Sequence, residues 1–252
     1  MVQRELHHEV MNVVRSRAFE ARVEAHAAAL VGAVATLGAA DLLPALAAPL
    51  PMLSIFEVLG VTDPVRAAVG AERAHSCISG LGDADEFEAG VAGFAGFCYE
   101  EISARRAEPR GDLLTRLAAG ERMTDEAIIS LLTGFLVTGL RSTAAAIASL
   151  LRRVAQDAEL RDRLTANPEL IGATIKGHPV FGSRAGAHFA RLQLLVALET
   201  VLRELPGLRL AGAITGPGPL IPTAWDPLRV EWERQASAAT ASRSRLTSLS
   251  SL

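Results

Sequence analysis

The sequence predicts a mainly α-helical fold. Half the residues are hydrophobic yet only 4% are aromatic, apolar positions recur at helical spacing along most of the chain, and capping residues stand at the head of those runs. Ala, Leu, Val and Arg dominate, which suits helices packed through small and aliphatic side chains rather than a β-sandwich. A chain of 252 residues can bury one substantial core. One domain over 1–234 is expected, followed by a Ser/Ala/Thr-rich tail over 235–252 that is expected to be disordered.

The elements follow in order. Glu5 to about Leu37 reads as one helix, and Asp41 to Leu59 is cut into short pieces by Pro44, Pro49 and Pro51. Asp63-Pro64 is a cap followed by proline at the first helical position, opening a helix to about Ser79. Ala84 to Arg106 forms the next helix, closed by Glu108-Pro109-Arg110-Gly111. Thr124 caps a central helix whose first turn holds Asp125 and Glu126, where the helix dipole favours acids. Ala155 to Thr165 is helical, and Asn167-Pro168-Glu169 repeats the cap-and-proline device. The helical pattern breaks over 175–180. A Phe181-Gly182 turn then leads into a helix carrying Leu192, Leu195, Val196, Leu198 and Leu202. Gly207 to Pro222 reads as loop with at most short strands, and Leu228 to Trp232 alternates as the one convincing strand.

Composition also excludes functions. The net charge is −3 with no Lys/Arg block beyond pairs such as Arg105-Arg106 and Arg152-Arg153, so nucleic acid is not an expected partner. From Ala127 to Leu151 the only charged residue is Arg141, but Ser130, Thr133, Thr138, Ser142, Thr143 and Ser149 suit a buried core helix better than a lipid-facing span. No membrane association is expected. The two cysteines, Cys77 and Cys98, are too few for a disulfide framework or a thiolate metal site. MVQRELHHEV lacks the apolar core of a signal peptide, so a reduced cytoplasmic setting is expected. His7, His8 and Glu9 are adjacent in sequence and would not share one helix face, so no metal site is expected there.

Four runs together resemble bacterial cytochromes P450: VVRSRAFEARVEAH, LPMLSIFEVLGVTDP, DLLTRLAAGERMTDEAIISLLTGFLVTGLRSTAAAIASLLRR and GAHFARLQLLVALETVLRELPGLRL. They occur in the family's order and cover most of Glu5 to Trp232. The resemblance implies a reduced P450-like helical fold that lacks much of the β-sheet region and the haem-binding loop. In the family a cysteine thiolate holds the haem iron in a turn of the form F-G-x-G-x-x-x-C-x-G. Here Phe181-Gly182 matches its start and Gly186-Ala187-His188-Phe189-Ala190-Arg191 matches the following helix. Only Ser183, Arg184 and Ala185 stand between them, so the turn is shortened and its cysteine is gone.

The other family sites are degenerate in the same direction. The A-G-x-(D/E)-T relay corresponds to Thr138-Gly139-Leu140-Arg141-Ser142, with the acid replaced by a base and the threonine by serine. Charge reversal at a proton-relay position argues against oxygen activation. The E-x-x-R pair has no counterpart in Gly172-Ala173-Thr174-Ile175-Lys176-Gly177, and the meander that normally follows is missing. Of the two propionate-gripping residues, His8 matches the histidine while Asn12 stands where an arginine is expected. The resemblance therefore implies no haem, and no cofactor or metal is expected.

Three roles fit such a chain. P450-like haem-less proteins resembling this one accompany glycosyltransferases that attach deoxysugars to natural-product aglycones, and they activate or stabilise the transferase by binding it. A cofactor-independent enzyme (cyclase, isomerase or dehydratase) could reuse the old substrate cavity, with Arg141, Ser142 and Thr143 as candidate catalytic groups and Arg141 expected to face that cavity. The residual cavity could also take a small hydrophobic ligand. A remnant of gene decay is the third, against which the maintained caps and apolar faces weigh. Removal of sheet and haem would uncover apolar helix faces, so either a glycosyltransferase partner or homo-oligomerisation is expected.

Overall fold

The computed structural model of the protein describes residues 10–79, 83–120, 123–177, 187–212 and 227–234. Its first complete helix, α1 (Arg17–Ala35), starts at a cap that the periodicity did not reveal. Ser16 Oγ donates to the Val13 carbonyl at 2.8 Å and accepts the Phe19 N–H at 3.2 Å, so one hydroxyl closes the helical segment 10–14 and opens α1. The single helix expected from Glu5 to Leu37 is thus two, and its first residues lie outside the described ones. A short strand, β1 (Ala39–Asp41), and a π-helical turn (Leu43–Ala47) follow. Asp41 Oδ1 joins them by accepting the N–H groups of Leu43 and of the distant Leu228, at 3.0 and 2.8 Å.

α2 (Pro49–Leu59) carries Pro49 and Pro51 in its first turn, where a missing N–H breaks no helical bond, and it ends at Gly60 with φ 85°. Asp63 accepts the Arg66 N–H at the head of α3 (Pro64–Ser79). Asp83 caps α4 (Ala84–Ala107), Asp112 caps α5 (Leu113–Ala119) and Thr124 caps α6 (Asp125–Gln156). The helix expected from Ala155 is divided instead by Asp157, which ends α6 and accepts the Leu160 N–H to start α7 (Ala158–Ala166). Asn167 makes no cap for the next turn. Its amide donates back to the Arg163 carbonyl and so finishes α7. A 3-10 turn (Pro168–Leu170) leads into α8 (Ile171–Lys176), and the next described element is α9 (Ala187–Glu204).

The strand expected at Leu228–Trp232 is present as β3 (Arg229–Glu231), and it is not alone. It lies between β1 and β2 (Arg209–Leu210) in a three-stranded antiparallel sheet of order β1-β3-β2, with Val230 opposite both Ala40 and Leu210. The tail expected to be disordered lies outside the described residues.

α6 is long and apolar enough to cross a membrane by length and composition alone. It packs against α2, α4, α9 and the π-helical turn, and buries Leu136, Ala146, Ile147 and Leu151 in the same core as Val23 and Val31 of α1 and Leu198 and Val201 of α9. It is the core helix of this fold.

A heavily bonded buried group among the described residues is Arg105, on α4. Its guanidinium donates to Glu101, to Asp112 Oδ2 at 3.0 Å and to the Gly60 carbonyl at 2.9 Å. Asp112 also accepts the Thr115 N–H and hydroxyl at 2.7 and 2.6 Å. Glu101 pairs in turn with Arg66, whose guanidinium lies 5.0 Å from the Phe97 ring centre. Burial disfavours the Asp112 charge, but the Thr115 and Arg105 hydrogen bonds outweigh it and hold the carboxyl below its ordinary value.

Replacing Arg105 with Ala leaves two carboxylates without their buried partner, and a loss of about 3–5 kcal/mol is expected, read from urea unfolding followed by circular dichroism. Because the Asp112 pKa is depressed on folding, its contribution is present above the unfolded value of about 3.9 and disappears as pH falls through the lower folded value. Asp112→Asn is expected to remove that part of the acid dependence, measured as unfolding free energy against pH.

Candidate functional site

Two cavities border the positions singled out in the sequence. The first, of about 440 Å³, lies where the end of helical segment 10–14 meets α8 and α9, and its wall includes Val14, Arg15, Ile175, Lys176, His188 and Arg191. Asn12 is on the same helical segment but exposed, and it is engaged by another group. His8, Phe181, Gly182, Arg184, Ala185 and Gly186 lie outside the described residues. Arg15, Lys176, His188 and Arg191 bring basic groups to a wall that is otherwise mainly apolar, with Glu20 the carboxylate among its described residues. Arg191 Nε is buried without a hydrogen-bond partner among the described residues.

The second cavity, of about 450 Å³, lies between the π-helical turn, α2, α3 and α6, and its wall includes Leu43, Met52, Ala71, His75, Leu140 and Arg141. The two cavities share no described lining residue. Arg141 borders the second cavity and is not among the described lining residues of the first.

Nor do the candidate catalytic residues converge. Successive residues on an α-helix diverge by about 100°. Arg141 borders the second cavity, Ser142 is exposed with its hydroxyl donating to the Gly139 carbonyl at 3.4 Å, and Thr143 is buried in the core. Three consecutive polar residues do not make a catalytic constellation on one helix.

Both cysteines are free thiols buried in the pairing of α3 with α4. The two backbones approach so closely that a Cβ on Gly90 would stand 2.6 Å from Cys77 Cα. Burial raises the Cys77 thiol above its ordinary value, and burial with the neighbouring Glu101 charge pushes Cys98 up to about 12. Neither thiol is on the elements around the first cavity, and the sequence from Phe181 to Gly186 contains no cysteine, so the donor set of this chain does not fit a thiolate-ligated haem. Among the described residues no group of three or more His, Cys, Asp or Glu could hold a metal ion.

Sequence reasoning missed the ionic groups inside the fold. Arg105 and Arg106 read as a short basic pair, yet Arg105 is buried and Arg106 grips both oxygens of Asp125 at the head of α6. The four-residue spacing of Glu101 and Arg105 was the available signal. Glu57 was missed as well: it is buried on α2 and meets Arg22 and His26 of α1 at 2.5 and 3.0 Å.

No family model matches the chain. Cytochrome P450 144 of Mycobacterium tuberculosis is 33% identical over 178 residues, 67% of this chain and 40% of that protein. Linalool 8-monooxygenase of Pseudomonas putida is 32% identical over 166 residues, 60% of this chain and 39% of that protein. The LnmZ cytochrome P450 hydroxylase from the leinamycin pathway of Streptomyces atroolivaceus superposes with a TM-score of 0.73 at 25% identity, covering 91% of this chain and 80% of that one. The chain is a cytochrome P450 homologue. Its match spans about two fifths of the length of the first two P450s, and its mainly helical structure is a P450 fold with little sheet.

The thiol environments make a direct test. Iodoacetamide at pH 8 is expected to leave Cys77 and Cys98 unmodified in the folded protein and to alkylate both in urea, because the thiolate is the reactive form. Intact-mass spectrometry reads the outcome, and rapid labelling of the folded chain would contradict the burial described above.

Proposed function

We propose that this P450 homologue works without haem, as an auxiliary protein that binds and activates or stabilises a partner enzyme in natural-product biosynthesis. The partner proposed is a deoxysugar glycosyltransferase, and the proposed setting is cytoplasmic. The observation that carries the reading is the position of the thiols. The family's chemistry needs a thiolate beside the helix that begins at Ala187, whereas this chain has its cysteines in the α3–α4 pairing. A protein that acts by surface binding needs only a folded body, and the capped helices and the Arg105 cluster supply one. Binding the competent state of a partner shifts its population without any catalytic group.

LnmZ, a hydroxylase of the leinamycin pathway, supports a natural-product setting. The alternative of a cavity enzyme is disfavoured by the divergence of Arg141, Ser142 and Thr143.

Purified protein is expected to be colourless, and added haem is expected to give no stoichiometric Soret band. A carbon monoxide difference spectrum of thiolate type would overturn the haem-independent reading. Co-expression with a deoxysugar glycosyltransferase from the same source is expected to yield a complex by size-exclusion chromatography with raised transferase activity. Two separate peaks with unchanged activity would reject that partner. Self-association without the transferase, read by light scattering, would favour a homo-oligomer instead.

A further inference from the structure

Four basic side chains gather at the cavity beside α9 without partners. Arg15 follows the helical segment 10–14, Lys176 ends α8, and His188 and Arg191 lie one turn apart on the same face at the start of α9. None of the four side chains makes a hydrogen bond or ion pair among the described residues, and Arg191 Nε is buried as well. Glu20, the carboxylate among the described lining residues, pairs with none of them. The first turn of α9 carries no acid, although the positive end of a helix dipole favours negative charge there. Two arginines and one lysine against one carboxylate leave a surplus of two positive charges before His188 is counted.

We propose that this cavity binds a small organic phosphate monoester, with its phosphate at Arg191 and Lys176 and its carbon part against Ile175, Leu192 and Leu195. A phosphate monoester carries a charge of about −1.5 to −2 at neutral pH, which cancels the surplus that a carboxylate would only halve. A guanidinium pairs with phosphate through two parallel hydrogen bonds, and an ammonium adds a point charge. The volume of about 440 Å³ falls within the range of small-molecule pockets, about 300–1,000 Å³. It exceeds what a bare phosphate ion fills, and the apolar part of the wall supplies affinity for the carbon part. The proposal does not rest on the auxiliary role, because a phosphate site needs neither haem nor a partner enzyme.

Calorimetric titration of the full chain in phosphate-free buffer with phenyl phosphate, inorganic phosphate and phenol tests it. Phenyl phosphate is expected to bind once per chain and about ten-fold more tightly than either inorganic phosphate or phenol, since each of those offers only one half of the recognition. Arg191→Gln is expected to bring phenyl phosphate down to the level of phenol. Arg163→Gln, at an exposed position on α7 outside the described lining, is expected to leave all three unchanged. Phenol or inorganic phosphate binding as tightly as the ester, ester binding that survives Arg191→Gln, an equal loss in Arg163→Gln, or no binding of the ester would overturn the proposal. Should Arg191→Gln fail to fold by circular dichroism, Lys176→Gln at the exposed end of α8 decides: weakened binding of phenyl phosphate supports the assignment and unchanged binding rejects it.

Discussion

A single guanidinium with three acceptors organises the front half of this fold. Arg105 reaches a carboxylate on its own helix, the cap residue of the next helix and the carbonyl of the glycine that ends α2. Each acceptor answers a different structural need. Glu101 links the cluster to Arg66 and thereby to α3, Asp112 holds the first turn of α5, and Gly60 turns the chain between α2 and α3. The turn has to be glycine for two reasons: its φ is positive, and a Cβ there would stand 2.2 Å from Asp112 Cβ. Buried charge is tolerated here because each guanidinium nitrogen has a partner, and the geometry fixes four elements relative to one another.

Around that frame, the helical packing is that of a cytochrome P450. The cavity beside α9 is walled by Val14, Ile175, Leu192 and Leu195 together with the basic side chains of Arg15, Lys176, His188 and Arg191. Arg141, on α6, borders the second cavity. One stripe of a helix can carry polar chemistry while another stays buried: Leu136, Leu140 and Ala144 are buried, whereas Arg141 is half-buried and Ser142 exposed.

Much of this was legible from local sequence. Asp63 and Thr124 cap the helices they were read to cap, because an acceptor just ahead of an apolar run is a local arrangement. Leu228 to Trp232 alternates visibly, and it forms the central strand. Ser16 was not legible, since its hydroxyl interrupts a run whose apolar spacing continues on both sides. β1 and β2 were hidden for another reason: their residues become strands only through pairing with a segment far away in sequence. At the candidate site, the identity of Arg141 and the missing turn cysteine could be read directly. Which cavity Arg141 borders depends on the rotation of α6 in its packing, and no local pattern encodes that. The burial of Arg105 likewise needs Gly60 and Asp112 to arrive from outside α4.

The small sheet sets the order in which the molecule can be completed. β1 and β2 bond to β3 and not to each other, so until the chain has been made through Glu231 both present unpaired backbone edges. The Trp232 indole then donates to the Ala35 carbonyl at 2.8 Å, at the end of α1 and almost the whole chain away. Contacts of such long sequence separation form late, after loop closure has been met by other interactions. The helices can collapse as they emerge from the ribosome, but among the described strands it is β3 that seals the end of α1, so the nascent chain is open to mispairing until synthesis reaches it.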